Sequence, residues 1–194
     1  THQVAKRVRK RAPHIPIVDY VSPSVWAWRP GRARKMRRYV DHILAILPFE
    51  PAAHRRLGGP QCSYVGHPLV EKLDWMHGLD AEALRRRLGI AKDRAVLVVL
   101  PGSRTSEVKR LMAPFGEALR RLQAEAGPFE VILPAVISVR PLIEEGLKGW
   151  SVAPHLVSGE EDKYAAFKLA RAALAASGTV TLELALAGTP MVVA

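Results

Sequence analysis

Residues 95–110, AVLVVLPGSRTSEVKR, constrain the fold of this chain more than any other stretch. Val96 to Leu100 are apolar without alternation, so a strand here is buried on both faces. Pro101-Gly102 stops it, and a helical pattern opens at once with Ser106-Glu107. A strand covered on both faces and followed directly by a helix is the repeating unit of a parallel α/β sheet. The alternation recurs along the chain. Short apolar runs fall at 15–21, 42–47, 62–66, 95–103, 129–134, 151–157, 171–177 and 190–194. Helical patterns lie between them, at 2–11, 32–40, 50–57, 80–88, 106–125, 138–148, 161–169 and 179–187. Asp80 and Gly89 predict an N-cap and a C-cap for the fourth helix. Pro114 predicts a kink or a restart inside the fifth.

The pattern restarts near residue 95. Before it, GHPLVEKLDWMHGLD (66–80) is broken by Pro and Gly and has poor periodicity, which predicts a linker and a lead-in helix. The expected class is α/β, with parts of two Rossmann-like doubly wound parallel-sheet domains. Residues 1–72 read as the end of the first and 73–194 as most of the second. The chain opens THQVAKR without Met and stops at GTPMVVA inside a strand pattern, so an internal piece of a longer protein is expected. No apolar run reaches the roughly 18–20 residues of a membrane span, and there is no signal-peptide core. The lone Cys62 excludes an internal disulfide framework and a multi-Cys metal site, and fits a reducing cytoplasm. The seven histidines contain no HxxxH or HExxH pair, so no metal is expected and most read as surface or loop residues. His67, at the proposed junction, suits either a hinge or a place facing an interdomain cleft.

Charge is unevenly placed. Residues 1–40 hold eleven Lys and Arg against Asp19 alone, +10 of the total +11. Within SPSVWAWRPGRARKMRR, six Lys or Arg fall between Arg29 and Arg38. Such a block attracts nucleic acid, lipid headgroups or phosphorylated substrates. Nucleic acid is disfavoured, because aromatics make up only 6% of the chain and no RRM, KH or zinc-finger pattern occurs. A solvated helix face remains the alternative for the distal arginines. Ser22 follows a strand, at the carboxyl edge where α/β sheets bind ligands. Trp26 and Trp28 alternate, so if extended they point opposite ways, one to packing and one to the cleft, with either order open.

Two strand–turn–helix elements carry candidate chemistry. In LPGSR, Gly102 lets backbone approach an anion, Ser103 offers a hydroxyl and an N–H, and Arg104 can grip a phosphate bidentately. The element is neither GxGxxG nor a P-loop, which argues against a nicotinamide dinucleotide and against an NTPase. A plain turn with an exposed Arg is the alternative. In LAASGTVTLELALAGTPMVV, Ser177 or Thr179 can cap the helix after Gly178, and the N–H groups of its first turn form an anion site. Glu183, on the face of Thr179, suits hydrogen bonds from sugar hydroxyls, as an acidic residue does for ribose in dinucleotide folds. A glutamate that only serves the helix dipole is the alternative.

DYVSPSVWAWRPGRARKM, LPFEP, YVGHPLVE, LPGSRTSEVKRL and ASGTVTLELALAGTPMVV occur in this order, over about Ile15 to Ala194. Together they resemble the lipid-A-disaccharide synthase family, glycosyltransferase family 19 of the GT-B type. SPSVWAWR and LPGSR are the specific parts. The Ser-Gly-Thr…Glu element is shared with other UDP-sugar transferases, such as the one that adds GlcNAc to lipid I. The resemblance implies transfer of 2,3-diacylglucosamine from UDP-2,3-diacylglucosamine to 2,3-diacylglucosamine 1-phosphate, with inversion, and no metal or cofactor. It implies donor contacts at Gly102, Ser103, Arg104, Ser177, Gly178, Thr179 and Glu183, with uracil near Val157-Ser158-Gly159. Ser22, Trp26, Trp28 and Arg29 fall on the acceptor or membrane side. The implied partners are the two lipid substrates and an anionic inner-membrane surface met from the cytoplasmic side, not nucleic acid. The family's base, an Asp, is expected upstream of Thr1, so residues 1–194 alone are expected to be inactive. Another UDP-GlcNAc-dependent GT-B enzyme, a peptidoglycan GlcNAc transferase or an epimerase, is the alternative.

Overall fold

The structure, a computed structural model, describes residues 1–194. The chain divides into two compact units, Thr1–Glu71 and Lys72–Ala194. In the first, helix α1 (His2–Arg11) precedes three parallel strands, β1 (Val18–Tyr20), β2 (His42–Ala45) and β3 (Gln61–Tyr64), in that spatial order. Helix α2 (Gly31–Met36) joins β1 to β2, and α3 (Glu50–Leu57) joins β2 to β3. Ala5, Met36 and Leu57, one from each helix, meet Ile43 and Ala45 of β2 in a single core. Strand β1 ends at Tyr20 because Val21, at φ 71°, turns the chain out of the extended region. Helix α2 ends before residue 40, but the turn that follows still buries Tyr39 and Val40.

In the second unit, α4 (Leu73–Gly78) and α5 (Ala81–Arg87) precede the sheet. Asp80 caps α5 as expected, accepting from the Ala83 N–H at 3.0 Å. The strands are β4 (Val96–Leu100), β5 (Glu130–Pro134), β6 (His155–Val157), β7 (Ala172–Ala175) and β8 (Met191–Val193). All pair in parallel, in the order β6-β5-β4-β7-β8. Helices α6 (Thr105–Ala126) and α7 (Arg140–Leu147) follow β4 and β5, and α8 (Glu160–Leu169) and α9 (Thr179–Leu186) follow β6 and β7. Val99, Val131 and Leu133 face Leu111, Phe115 and Ile143 of α6 and α7. Val98, Leu100 and Ile132 face Leu84, Phe167 and Leu184 of α5, α8 and α9. Residues along β4 thus point to opposite faces, each covered by helices, which is why the run lacks polar alternation. Each such side chain contributes about 1.5–3 kcal/mol by leaving water.

Helix α6 runs unbroken for 22 residues, with no restart at Pro114. Pro114 lies on the exposed face, so the Arg110 carbonyl that it cannot serve is left on the water side.

Candidate functional site

Leu100 of β4 lies opposite Ala175 of β7, and the Ala176 N–H donates to the Leu100 carbonyl at 2.8 Å. Residues 101–104 and 176–178 therefore leave the sheet side by side, where the strand order reverses. Pro134 of β5 lies opposite Val157 of β6, which brings residues 135–138 and 158–159 to the same end. These turns and the starts of α8 and α9 line an open cleft of about 950 Å³. All seven residues of the two motifs, Gly102, Ser103, Arg104, Ser177, Gly178, Thr179 and Glu183, line it. Ser158 and Gly159 line it as well, whereas Val157 is buried in β6. Val136 and Ile137 give it an exposed apolar rim.

The two turns differ in how their N–H groups are served. At the β4 turn, Glu107 Oε2 accepts from the N–H groups of Ser103 at 3.1 Å and Arg104 at 3.3 Å. Its Oε1 accepts from the Arg104 guanidinium at 2.5 Å. The guanidinium first, and the two N–H groups with it, hold the Glu107 carboxyl below its usual range. Donors that the sequence offers to a ligand are thus occupied by the chain's own carboxylate. Gly102 makes this possible: at φ 110°, an added Cβ would lie 2.6 Å from the Glu107 Cβ. The Arg104 side chain remains 77% exposed and reachable from the cleft.

At the β7 turn, neither Ser177 nor Thr179 caps the helix. Gly178 takes the N-cap position and makes no side-chain bond. Ser177 stands one residue too early, its N–H donating to the Ala194 carbonyl at 3.0 Å. Thr181 Oγ1 donates to the Gly178 carbonyl at 2.7 Å. The N–H groups of Thr179 and Val180 find no acceptor in the protein, and no carboxylate closes over this turn as Glu107 does over the other.

Glu183, in the same helix, is not a bare charge. Lys163 of α8 places its Nζ 3.2 Å from Oε1 and 3.0 Å from Oε2. The same ammonium lies 4.4 Å over the Tyr164 ring. The Tyr164 hydroxyl is buried without a hydrogen-bond partner. Burial first, and then the Glu183 charge, push this phenol up, so it stays protonated. Glu107, Ser138, Glu160 and Lys163 are the polar cleft residues that sequence reasoning missed. Glu107 had a local signal, three residues past Arg104 at the capping-box position. Lys163 had none, because its partner is twenty residues away.

In the first unit, Ser22 is buried rather than open. Its Oγ lies 2.7 Å from His54 Nε2 and donates to the Pro23 carbonyl at 3.0 Å. His54 is a core residue of α3, not a surface one, and burial lowers its imidazole below the usual value. The stretch around Trp26 and Trp28 is a turn, not an extended strand: the N–H groups of Ala27 and Trp28 both bond the Ser24 carbonyl. Trp26 packs edge-on against Phe49, with centroids 4.9 Å apart, and its Nε1 donates to buried Glu50 at 3.3 Å. Trp28 is exposed, with the Arg29 guanidinium 4.4 Å over its ring. Val21 and Arg29, both at positive φ, bracket this turn.

Arg34, Lys35 and Arg38 of α2 and the turn after it share a groove of about 540 Å³ with Arg56 of α3. Among Lys and Arg of residues 1–71, only Arg9 forms an ion pair, with Asp41. His67 Nδ1 accepts from the Leu69 N–H at 3.2 Å, a local turn-stabilising bond. No helix is long and apolar enough to cross a membrane.

A model of the lipid-A-disaccharide synthetase family matches residues 1–194. The chain is 62% identical over 192 residues to the lipid-A-disaccharide synthase of Rhodopseudomonas palustris strain HaA2, covering 99% of this chain and 48% of the relative. It is 57% identical over 194 residues to that of Bradyrhizobium diazoefficiens, covering 100% and 48%. The chain spans about half the length of the curated relatives it matches. Among solved structures, UDP-GlcNAc 2-epimerase from Neisseria meningitidis bound to UDP-GlcNAc aligns with TM-score 0.69 and 14% identity, over 97% of this chain and 55% of that one. Anabaena HepE in complex with UDP-glucose aligns with TM-score 0.57 and 14% identity, over 100% and 57%. At that identity the likeness shows the fold, and it agrees with the parallel α/β architecture expected from the sequence.

Proposed function

The chain belongs to the lipid-A-disaccharide synthetase family, and from that membership we propose that the protein it spans transfers 2,3-diacylglucosamine from UDP-2,3-diacylglucosamine to 2,3-diacylglucosamine 1-phosphate. Residues 73–194 form the UDP-sugar side and residues 1–72 the acceptor side. An acceptor hydroxyl attacks the anomeric carbon, its proton passing to a base. The bond from that carbon to the diphosphate breaks, and its electron pair leaves with UDP. No residue of the cleft is assigned as the base.

Catalysis on the donor side is charge stabilisation at the departing diphosphate. The vacant N–H groups of Thr179 and Val180 and the helix dipole behind them suit its oxygens. Arg104 adds a mobile cation by leaving Glu107. Glu183 accepts from the ribose, Gly102 and Gly178 keep the two turns low, and Ser103 and Ser177 offer hydroxyls at the rim. Ser158, Gly159 and the apolar rim of Val136 and Ile137 suit the uracil. Both aligned structures hold UDP-sugars, which supports this ligand class. On the acceptor side, Trp28, Arg29 and the uncompensated cations of α2 meet an anionic inner-membrane surface from the cytoplasm, where both lipid substrates reside.

The carrying observation is the convergence of all seven motif residues on one cleft, beside an uncapped helix, in a chain of this family. The full-length protein, given acceptor and either UDP-2,3-diacylglucosamine or UDP-GlcNAc, is expected to form disaccharide 1-phosphate and UDP only with the acylated donor. Turnover of UDP-GlcNAc with none of the acylated donor would move the assignment to another UDP-GlcNAc enzyme.

A further inference from the structure

We propose that Lys163 is a positioning residue: through its ion pair with Glu183 it holds that carboxylate as an acceptor for the vicinal hydroxyls of a nucleoside ribose. The inference rests on the donor reading above and assigns a role to a residue outside both motifs.

Glu183 stands in an awkward place for a sugar contact. The start of α9 offers two vacant N–H groups, at Thr179 and Val180, to an anion. A free carboxylate on the same helix repels an incoming diphosphate and competes for those N–H groups itself. The Lys163 ammonium removes both difficulties. It lies 3.2 Å from Oε1 and 3.0 Å from Oε2, so it cancels the charge and fixes the plane of the carboxylate. Its own place is set by the first turns of α8 and by the Tyr164 ring 4.4 Å away. Lys163 and Glu183 are 22% and 14% exposed, so little water screens the pair.

Acceptor capacity points the same way. An ionised carboxylate has about four lone-pair sites, two on each oxygen. Lys163 hydrogen-bonds Oε1 and lies 3.0 Å from Oε2 without taking a hydrogen bond there, so each oxygen keeps a site for a ligand donor. Two neighbouring hydroxyls match that remainder, and a deoxyribose, with one fewer, does not.

The test is binding of UDP and 2′-deoxy-UDP to the full-length protein by calorimetry, with melting temperature recorded for every variant. The wild type is expected to prefer UDP by about tenfold, the size of a hydrogen bond to a charged group. Lys163→Met and Lys163→Gln are expected to reduce the preference to about twofold or less, and Lys163→Arg to keep most of it. A merely structural lysine would weaken both nucleotides equally and leave the ratio intact. An unchanged ratio in a folded neutral variant therefore overturns the role of Lys163 while the donor reading stands. A wild type that binds UDP and 2′-deoxy-UDP equally overturns the ribose contact and this role with it. A wild type that binds neither overturns the donor reading as well.

Discussion

Arg104 and Glu107 close on each other at the start of α6, the carboxylate taking both the guanidinium, at 2.5 Å, and the Arg104 N–H, at 3.3 Å. On the proposed donor reading, the arginine that grips the phosphate is stored on an internal anion one helical turn away. An exposed ion pair is worth about 0–1 kcal/mol, so exchanging it for a diphosphate is energetically easy.

Arg104→Ala in the full-length protein is accordingly expected to lower kcat/KM by about 10²-fold, the loss usual for one donor to a developing anion. Stability should fall by less than about 1 kcal/mol, because the side chain is mostly exposed. Steady-state kinetics beside denaturant unfolding would separate the two effects, and undiminished turnover would remove the phosphate role.

Glu107 predicts an acid-dependent contribution to stability. Its carboxyl is lowered from an ordinary 4.5 by Arg104 and two N–H groups. A lowered folded value means that the unfolded chain binds the proton more tightly. The stabilisation is therefore complete above about pH 4.5 and is lost as pH falls through the lower folded value. The melting-temperature difference between wild type and Glu107→Gln should be constant at neutral pH and shrink in acid. A difference that does not move with pH would show that the charge is irrelevant to the cap.

His54 and Gly59 predict a non-additive pair. A Cβ on Gly59 would lie 2.4 Å from His54 Nδ1, so Gly59→Ala is expected to cost about 1–3 kcal/mol by overpacking. His54→Ala leaves a cavity and deprives Ser22 of its partner, at about 2–4 kcal/mol. Combined, the two should cost less than their sum, because the small residue makes room for the new methyl. Strict additivity in chemical denaturation would mean that the contact is not tight.

Replacing Arg34, Lys35 and Arg38 together with Ala is expected to weaken binding of the full-length protein to phosphatidylglycerol vesicles by about 10²-fold at low salt. Each cation near an anionic surface is worth about 1 kcal/mol. Neutral vesicles and high salt should erase the difference. Co-sedimentation that is equal for wild type and variant would leave α2 as a solvated face while the transferase reading stood.

What was legible in the sequence follows from what is local. Val96 to Leu100 declared a strand with two covered faces, and the turns after Leu100 and Ala175 could be read as binding turns before any packing was known. The alignment of Leu100 with Ala175, which turns two motifs into one cleft, is a strand-pairing fact that no short window contains. The hidden residues share that cause. Lys163 matters through a partner in another helix, and His54, set in a basic helix, gives no sign that its ring is buried against Ser22. For Trp26 and Trp28 alternation carries meaning only in an extended chain, whereas Val21 and Arg29 at positive φ bracket a turn there.

The contrast between the two helix starts at the cleft also has a consequence in time. At the start of α6 the Ser103 and Arg104 N–H groups already have an acceptor in Glu107, whether or not the cleft is filled. The start of α9 has no such acceptor, and on the proposed donor reading an anion entering there becomes its cap. Ligand entry on that side is then a step of local folding, and the measured affinity contains the fraying equilibrium of the first turn of α9. Anything that tightens or loosens that turn changes the grip on the anion without touching it.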